Sequence, residues 1–578
     1  MFKKLSLILE KKDQLKLKFI FVLNSLMFFL ELITLASVPF FVTSILKPEI
    51  IISKFSEFFS FQSDSFFVNN LILIASIFVI ISFLLKNIFL VLLLIYQGNF
   101  FRKLKINISK KLFYFYTDAS FLYHLNNNPS QFARNVTDEI IGVYNYLFNL
   151  TLLIRESVAI LVIFLLVVII DPLSAFSICL FLGLISILNI KKIKPYLKIK
   201  AINNQKVRKN IIQTIFETFG SIKDIKIFNQ EHSVKKYFDN NVAEFEKNAF
   251  HFVIFSRLPR ILLEVLSIVG IIIISFFYLT FLQNSGNLFP ILSLLAISVM
   301  RFIPAFNSVV LAVYFLKIYQ QSLKLITKEI ELINRENFNE QNKNLKVIKE
   351  SSSNQSFLSV ENLNYEYKGR DGFKLTNINF SIEQGKKIAI TGSTGSGKST
   401  LFYLMLGLIK PTEGAVFYKG ENIFKNLKNW RKEIGYISQN IYLLDASIKK
   451  NIAFNFLDEN IDEKRLKTAI EIAHLNEKIS SLDESFDTQV GADGLTFSGG
   501  ERQRIAIARA IYRQPEIFFM DEFTSALDTK TEDKILSNFH NYLPKSTVIM
   551  IAHRKETIQK CDEVWKIENG KLIKLPFN

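Results

Sequence analysis

Apolar runs long enough to cross a bilayer crowd into roughly the first 320 of the 578 residues and then stop, and no other feature restricts the fold so strongly. A hydrocarbon core of ~30 Å needs about twenty apolar residues per helix. Six stretches meet that demand: 18 to 46, 70 to 96, 148 to 170, 173 to 190, 258 to 283 and 288 to 318. The third and fourth are parted only by Asp171 and Pro172, which reads as a tight external turn. A mean hydropathy of +0.25 beside 21% charged residues calls for two unlike parts, one in lipid and one in water.

The formal charge of +18 does not point to nucleic acid, because the cations gather just outside the apolar runs, as at Lys103, Lys105, Lys110 and Lys111, and again at Lys191, Lys192, Lys194 and Lys198. Residues 97 to 147 and 191 to 256 are long and basic, whereas 47 to 69 holds only Lys47 and Lys54. By the positive-inside rule the basic stretches and both chain ends lie in the cytoplasm. The first apolar run is too long for a signal-peptide core and lacks a cleavage site, so it is expected to stay in the membrane. Cys179 and Cys561 build neither a disulfide framework nor a zinc site. Phe2, Leu5 and Leu9, and again Ile51, Phe55 and Phe58, recur at helical spacing and suggest helices lying on the membrane surface.

The expected organisation is a six-helix membrane domain over residues 1–336, a polar linker over 337–357 and an α/β domain with a largely parallel sheet over 358–578. Within the last, an apolar strand runs into Gly392, Ser393, Thr394, Gly395, Ser396, Gly397, Lys398, Ser399 and Thr400, the pattern G-x-x-x-x-G-K-[ST]. Its glycines let backbone N–H groups converge on phosphate, Lys398 neutralises the outer phosphates, and the Ser399 hydroxyl ligates Mg²⁺. A second apolar strand ends in Asp521 and Glu522, the expected Mg²⁺ partner and the base that prepares the attacking water. Ser498, Gly499, Gly500 and Glu501 have the form of a capping box opening a helix, which offers a second anion-binding terminus.

Taken together these residues resemble ATP-binding-cassette transporters along the whole chain. Phe497-Ser498-Gly499-Gly500-Glu501 stands where that family usually has Leu-Ser-Gly-Gly-Gln, and Ser525-Ala526-Leu527-Asp528 matches its D-loop. The resemblance implies that Gln439 is the Q-loop residue reaching Mg²⁺ and the attacking water, His553 the switch histidine, and Tyr367 the ring that stacks on adenine. It further implies a homodimer with two ATP sites, each closed by the Ser498 segment of the other copy, and coupling helices near residues 119 to 130 and 215 to 228.

The runs Arg257-Leu258-Pro259-Arg260 and Arg301-Phe302-Ile303-Pro304 resemble the PglK type of lipid-linked oligosaccharide flippase. That similarity implies a polyprenyl-pyrophosphate-linked saccharide as cargo in a bacterial inner membrane, with Lys86, Arg260 and Arg301 meeting its anionic head. Glu31, Glu156 and Glu264 lie in or beside the same spans, so pairing within the membrane is the competing fate of these cations. Export of peptides or drugs, and an ATP-sensing regulator without transport, are the two rival functions.

Overall fold

The computed structural model describes residues 9–58, 70–170, 172, 194–280, 288–342, 356–367, 374–455, 461–491, 497–523 and 527–576. The chain divides into two compact units, Met1–Asp118 with Asn128–Lys343, and Ala119–Asn127 with Asn344–Asn578.

The first unit is helical: α1 (Lys11–Leu46), α2 (Pro48–Phe58), α3 (Leu71–Asp118), then, after a short segment assigned to the other unit, α5 (Pro129–Val136), α6 (Asp138–Ile170), α7 (Lys194–Gly220), α8 (Ile222–Ile227), α9 (Glu231–Thr280) and α10 (Leu288–Asn342). Among the described residues four helical runs are long and apolar enough to cross a membrane: Lys11–Leu46, Leu71–Asp118, Pro129–Ile169 and Leu295–Ile333. The fourth span expected from sequence lies outside the described residues, and the fifth falls on α9 and passes its described end. Apolar side chains such as Val22, Phe29, Leu84 and Leu92 are more than half exposed, at 62%, 60%, 56% and 59%, as lipid-facing residues must be. Inside, Leu35, Ile163, Leu166, Val167, Leu263, Leu295 and Phe302 pack together and join α1, α6, α9 and α10.

Hydroxyls in these helices turn back on their own backbone, since lipid offers no water to satisfy them. Thr34 Oγ1 donates to Leu30 O at 2.6 Å and Ser82 Oγ to Val79 O at 2.8 Å. Ser82 Oγ also lies 3.3 Å from Ser37 Oγ, which ties α3 to α1. The helix expected around Ile51 exists as α2. Its N-terminal counterpart, with Phe2 and Leu5, lies outside the described residues. Helix α10 continues to Asn342, into the stretch read from sequence as linker, because nothing in Glu336 to Asn342 breaks a helix.

The second unit has two sheets. Strands β1 (Leu358–Glu366), β2 (Lys374–Ile382), β4 (Glu413–Tyr418) and β5 (Glu421–Asn422) form an antiparallel sheet in the order β2-β1-β4-β5. Strands β3 (Lys387–Thr391), β6 (Ile434–Ile437), β7 (Ile517–Asp521), β8 (Thr547–Ile551), β9 (Glu563–Glu568) and β10 (Lys571–Leu575) form the main sheet, in the order β10-β9-β3-β8-β7-β6. All its pairings are parallel except that of β10 with β9. Every residue of β7 and β8 is buried, and alternation sorts them to the two faces. Phe518, Met520, Val548 and Met550 enter one core cluster, while Ile517, Phe519, Ile549 and Ile551 enter the other.

Candidate functional site

The main sheet delivers its functional groups from the ends of adjacent parallel strands. After β3 the chain turns through Gly392, Gly395 and Gly397, with φ of 147°, 82° and 110°, into helix α11 (Lys398–Met405). At Gly392 a Cβ would sit 2.6 Å from Ile567 O and 2.7 Å from Ser396 Oγ, so only glycine lets the loop close this tightly. Lys398 Nζ folds over the loop and donates to Gly392 O and Ser393 O, each at 2.9 Å. Burial pushes its pKa down, against the pull of Glu522 and Asp521. Ser396 Oγ is buried with no hydrogen-bond partner. A loop with an underused ammonium and an orphaned hydroxyl fits a phosphate chain.

Asp521 ends β7, held above the usual carboxylate range by burial and by Glu522, with Lys398 and His553 acting the other way. Glu522 follows in the left-handed region at φ 49°, rare for a residue with a side chain, and its N–H is fixed on Ile551 O at 3.2 Å. Its two carboxylate oxygens are held separately: Gln439 Nε2 donates to Oε2 at 2.7 Å, and His553 Nε2 stands 3.3 Å from Oε1. Two side chains far apart in sequence therefore meet on one carboxylate. Among the described residues no group of three His, Cys, Asp or Glu side chains can hold a metal ion alone. A Mg²⁺ ion here would share its coordination between nucleotide phosphates, Ser399 and Asp521.

Sequence reading missed Gln503. It is buried in helix α16 (Gly499–Tyr512), and its Nε2 reaches Glu522 O at 3.4 Å. A polar residue at a core position of an otherwise apolar helix face was the available signal. It also missed Tyr403 on α11 and Tyr436 on β6, whose phenols stand near Asp521 and, with burial the larger cause, are pushed up. Tyr367 packs edge-on against Tyr365, centroids 4.9 Å apart. Asp528 caps helix α17 (Thr529–Tyr542) by accepting from Thr531 N–H. Ser525 and Ala526 lie outside the described residues.

The Ser498 capping box is complete, with Ser498 N–H donating to Glu501 Oε2 at 2.7 Å and Glu501 N–H to Ser498 Oγ at 3.3 Å. Burial raises the Glu501 pKa, but the Ser498 N–H and Lys478 Nζ at 3.1 Å outweigh it, so the carboxyl lies below its ordinary value. A depressed acid stabilises the fold above its unfolded pKa, and the effect is lost as pH falls through the folded value. Glu501→Gln keeps the capping shape without the charge. The wild type should exceed it in stability by about 0.5–1.5 kcal/mol at pH 7, and thermal unfolding of the full chain should show that lead shrinking as pH falls below the ordinary carboxylate range.

Segment 119–127 belongs to the same unit. Helix α4 (Phe121–Asn126), capped by Ser120, sets the Phe121 ring 5.1 Å from that of Tyr403. In the first unit, α8 ends a helical hairpin whose tip exposes Phe216, Phe219, Ile227 and Phe228.

The membrane charges are arranged differently from a ring of free cations. Arg301 on α10 contacts Glu31 on α1 through Nε and Glu156 on α6 through Nη2, the latter at 3.3 Å; Arg155 Nη2 holds the other Glu156 oxygen at 2.9 Å. Glu31 and Glu156 are only 3% and 4% exposed. Lys86 lies near them, its Nζ 5.2 Å from the Phe83 ring centroid. Lys86 and Arg301 border a cavity of about 250 Å³, together with Arg155. Arg260 does not: it is exposed on α9 and is not among the residues lining that cavity, so of the expected triple of Lys86, Arg260 and Arg301 the structure brings together Lys86 and Arg301, with Arg155 beside them.

Residues 375–525 match the model of the ABC transporter family. The ATP-dependent lipid A-core flippase of Haemophilus ducreyi is 37% identical over 220 residues, 38% of either chain, and that of Shewanella denitrificans 40% over 221 residues, 38% of this chain and 37% of that one. The leukotoxin export ATP-binding protein LtxB of Aggregatibacter actinomycetemcomitans is 38% identical over 220 residues, 38% of this chain and 31% of its own. The chain thus spans less than two fifths of the curated relatives it matches. A bacterial Atm1-family ABC exporter with ATP bound superposes with a TM-score of 0.69 over 96% of this chain and 94% of that one, at 18% identity. The C-terminal unit carries an ABC transporter ATPase domain, and the chain has the fold of an ABC exporter.

Proposed function

We propose that this chain, an ABC-exporter fold with its own ATPase domain, works as one half of a homodimer that hydrolyses ATP to flip a lipid with a polar headgroup across a bacterial inner membrane. The observation that carries the reading is Glu522, gripped by Gln439 on one oxygen and His553 on the other beside the Lys398 loop. That is the geometry of a general base poised for a water, and Lys398 is placed to stabilise charge on the transferred phosphoryl group. Bound Mg²⁺ would add Lewis-acid stabilisation of phosphate charge.

Glu522 takes the proton of the attacking water while Gln439 and His553 fix its direction. The N–H groups of Gly499 and Gly500, in the first turn of the helix that Ser498 caps, would complete the phosphate cradle of a second copy. The Phe121–Tyr403 contact would carry the closure into the spanning helices, and the exposed apolar tip around α8 would seat on the partner. The finer reading of the cargo is a lipid-linked saccharide, supported by the polar cavity between α1, α3, α6 and α10. The alternative, export of peptides or drugs, has as its support the match to a leukotoxin export ATP-binding protein.

Reconstitution separates these. Vesicles holding the protein should move a fluorescent glycolipid between leaflets only with ATP and Mg²⁺. Hydrolysis with dye or peptide uptake and no lipid movement refutes the flippase, and tight ATP binding with neither turnover nor movement points to a sensor.

A further inference from the structure

The polar cavity in the membrane unit holds more compensation than a site for a multiply charged anion needs. Around it stand three cations, Lys86, Arg155 and Arg301, and two carboxylates, Glu31 and Glu156. Arg301 is engaged by both carboxylates and Arg155 by one, so these four charges cancel in place. Lys86 is the remaining charge; among the described residues it has a ring below it and no carboxylate. A second observation concerns neutral groups: Asn24, 2% exposed and lining the same cavity, gives its Nδ2 to Ile20 O at 2.8 Å and leaves Oδ1 buried without a donor. A ligand matched to this lining brings one negative charge to Lys86 and a hydroxyl or amine to Asn24.

We infer that Glu31 and Glu156 are specificity residues that limit the headgroup to a single anionic charge, so that the cavity takes a lipid whose hydroxylated head is joined through one phosphodiester rather than through a pyrophosphate. The inference rests on the lipid-flipping reading and narrows its cargo. A pyrophosphate would bring at least two charges to one uncompensated cation, and the excess would meet no free counter-charge because Glu31 and Glu156 already occupy the two arginines. Loss of either carboxylate raises the net charge of the lining from one to two and removes that barrier.

The test is binding to the full-length protein in micelles, followed by native mass spectrometry. The probes are dioctanoyl phosphatidylglycerol, dioctanoylglycerol pyrophosphate and, as a soluble phosphate, glycerol 3-phosphate. The wild type should hold phosphatidylglycerol at least ten-fold more tightly than the pyrophosphate lipid, and glycerol 3-phosphate weakly. Glu31→Gln should shift that preference at least ten-fold toward the pyrophosphate. Lys86→Gln, which leaves every ion pair intact and so guards against misfolding, should weaken phosphatidylglycerol at least ten-fold. Equal binding of both lipids by the wild type, an unchanged ratio in Glu31→Gln, or glycerol 3-phosphate binding as tightly as the lipid overturns the inference. Flipping of both lipids without preference sinks it alone, whereas absence of lipid binding with ATP-driven dye transport sinks it together with the flippase reading.

Discussion

Glu522→Gln lowers ATP turnover by about 100- to 10,000-fold while leaving ATP binding within a few-fold of the wild type. Glutamine preserves the length and shape that let one side chain meet Gln439 and His553 at once, so the pocket keeps its form and loses only the basic oxygen. Alanine would be a poorer test, because it removes the contacts with Gln439 and His553 together with the base and leaves residue 522 at φ 49° without the side chain that anchors it. Gln439→Ala and His553→Ala should each be milder, since either leaves Glu522 with one of its two anchors. Steady-state hydrolysis beside equilibrium nucleotide binding checks the set. A Glu522→Gln protein turning over within ten-fold of the wild type would move the base to another residue.

The local chemistry of the nucleotide site was legible because short-range rules write it. The Ser498–Glu501 box needs two residues three apart, and both of its hydrogen bonds form. Strand β7 announced itself by an unbroken apolar run closed by two carboxylates. The antiparallel sheet was invisible for a local reason as well. Register shifts around Leu363, with Asn362 and Asn377 at φ of 45° and 48°, change the phase of alternation within β1 and β2, so no clean period of two survives. Partnerships across long sequence distance were the harder part. Nothing near Gln503 says that it will reach Glu522 O, and nothing near Phe121 says that it will face Tyr403. Arg260 and Arg301 read alike from sequence, each an arginine in an apolar run shortly before or after a proline. Only helix packing turns one outward and sets the other between Glu31 and Glu156.

That placement of Arg301 makes the membrane unit's stability hinge on one guanidinium. Arg301→Ala strips both carboxylates of a shared partner at sites 3% and 4% exposed. Glu156 retains Arg155, but Glu31 has no other ion pair among the described residues. An uncompensated charge in so dry a place costs about 3–5 kcal/mol, more than the intact pair contributes over an apolar substitute, because desolvation is no longer offset. The expected result is therefore asymmetric. Arg301→Ala alone should destabilise the protein in micelles by that amount, Glu31→Gln with Arg301→Ala should recover more than half of it, and Glu31→Leu with Arg301→Met should come close to the wild type. Denaturant unfolding followed by far-UV circular dichroism measures all three. Equal losses in the single and double variants would mean that the arginine acts through packing of its stem alone, and that the carboxylates do not depend on it.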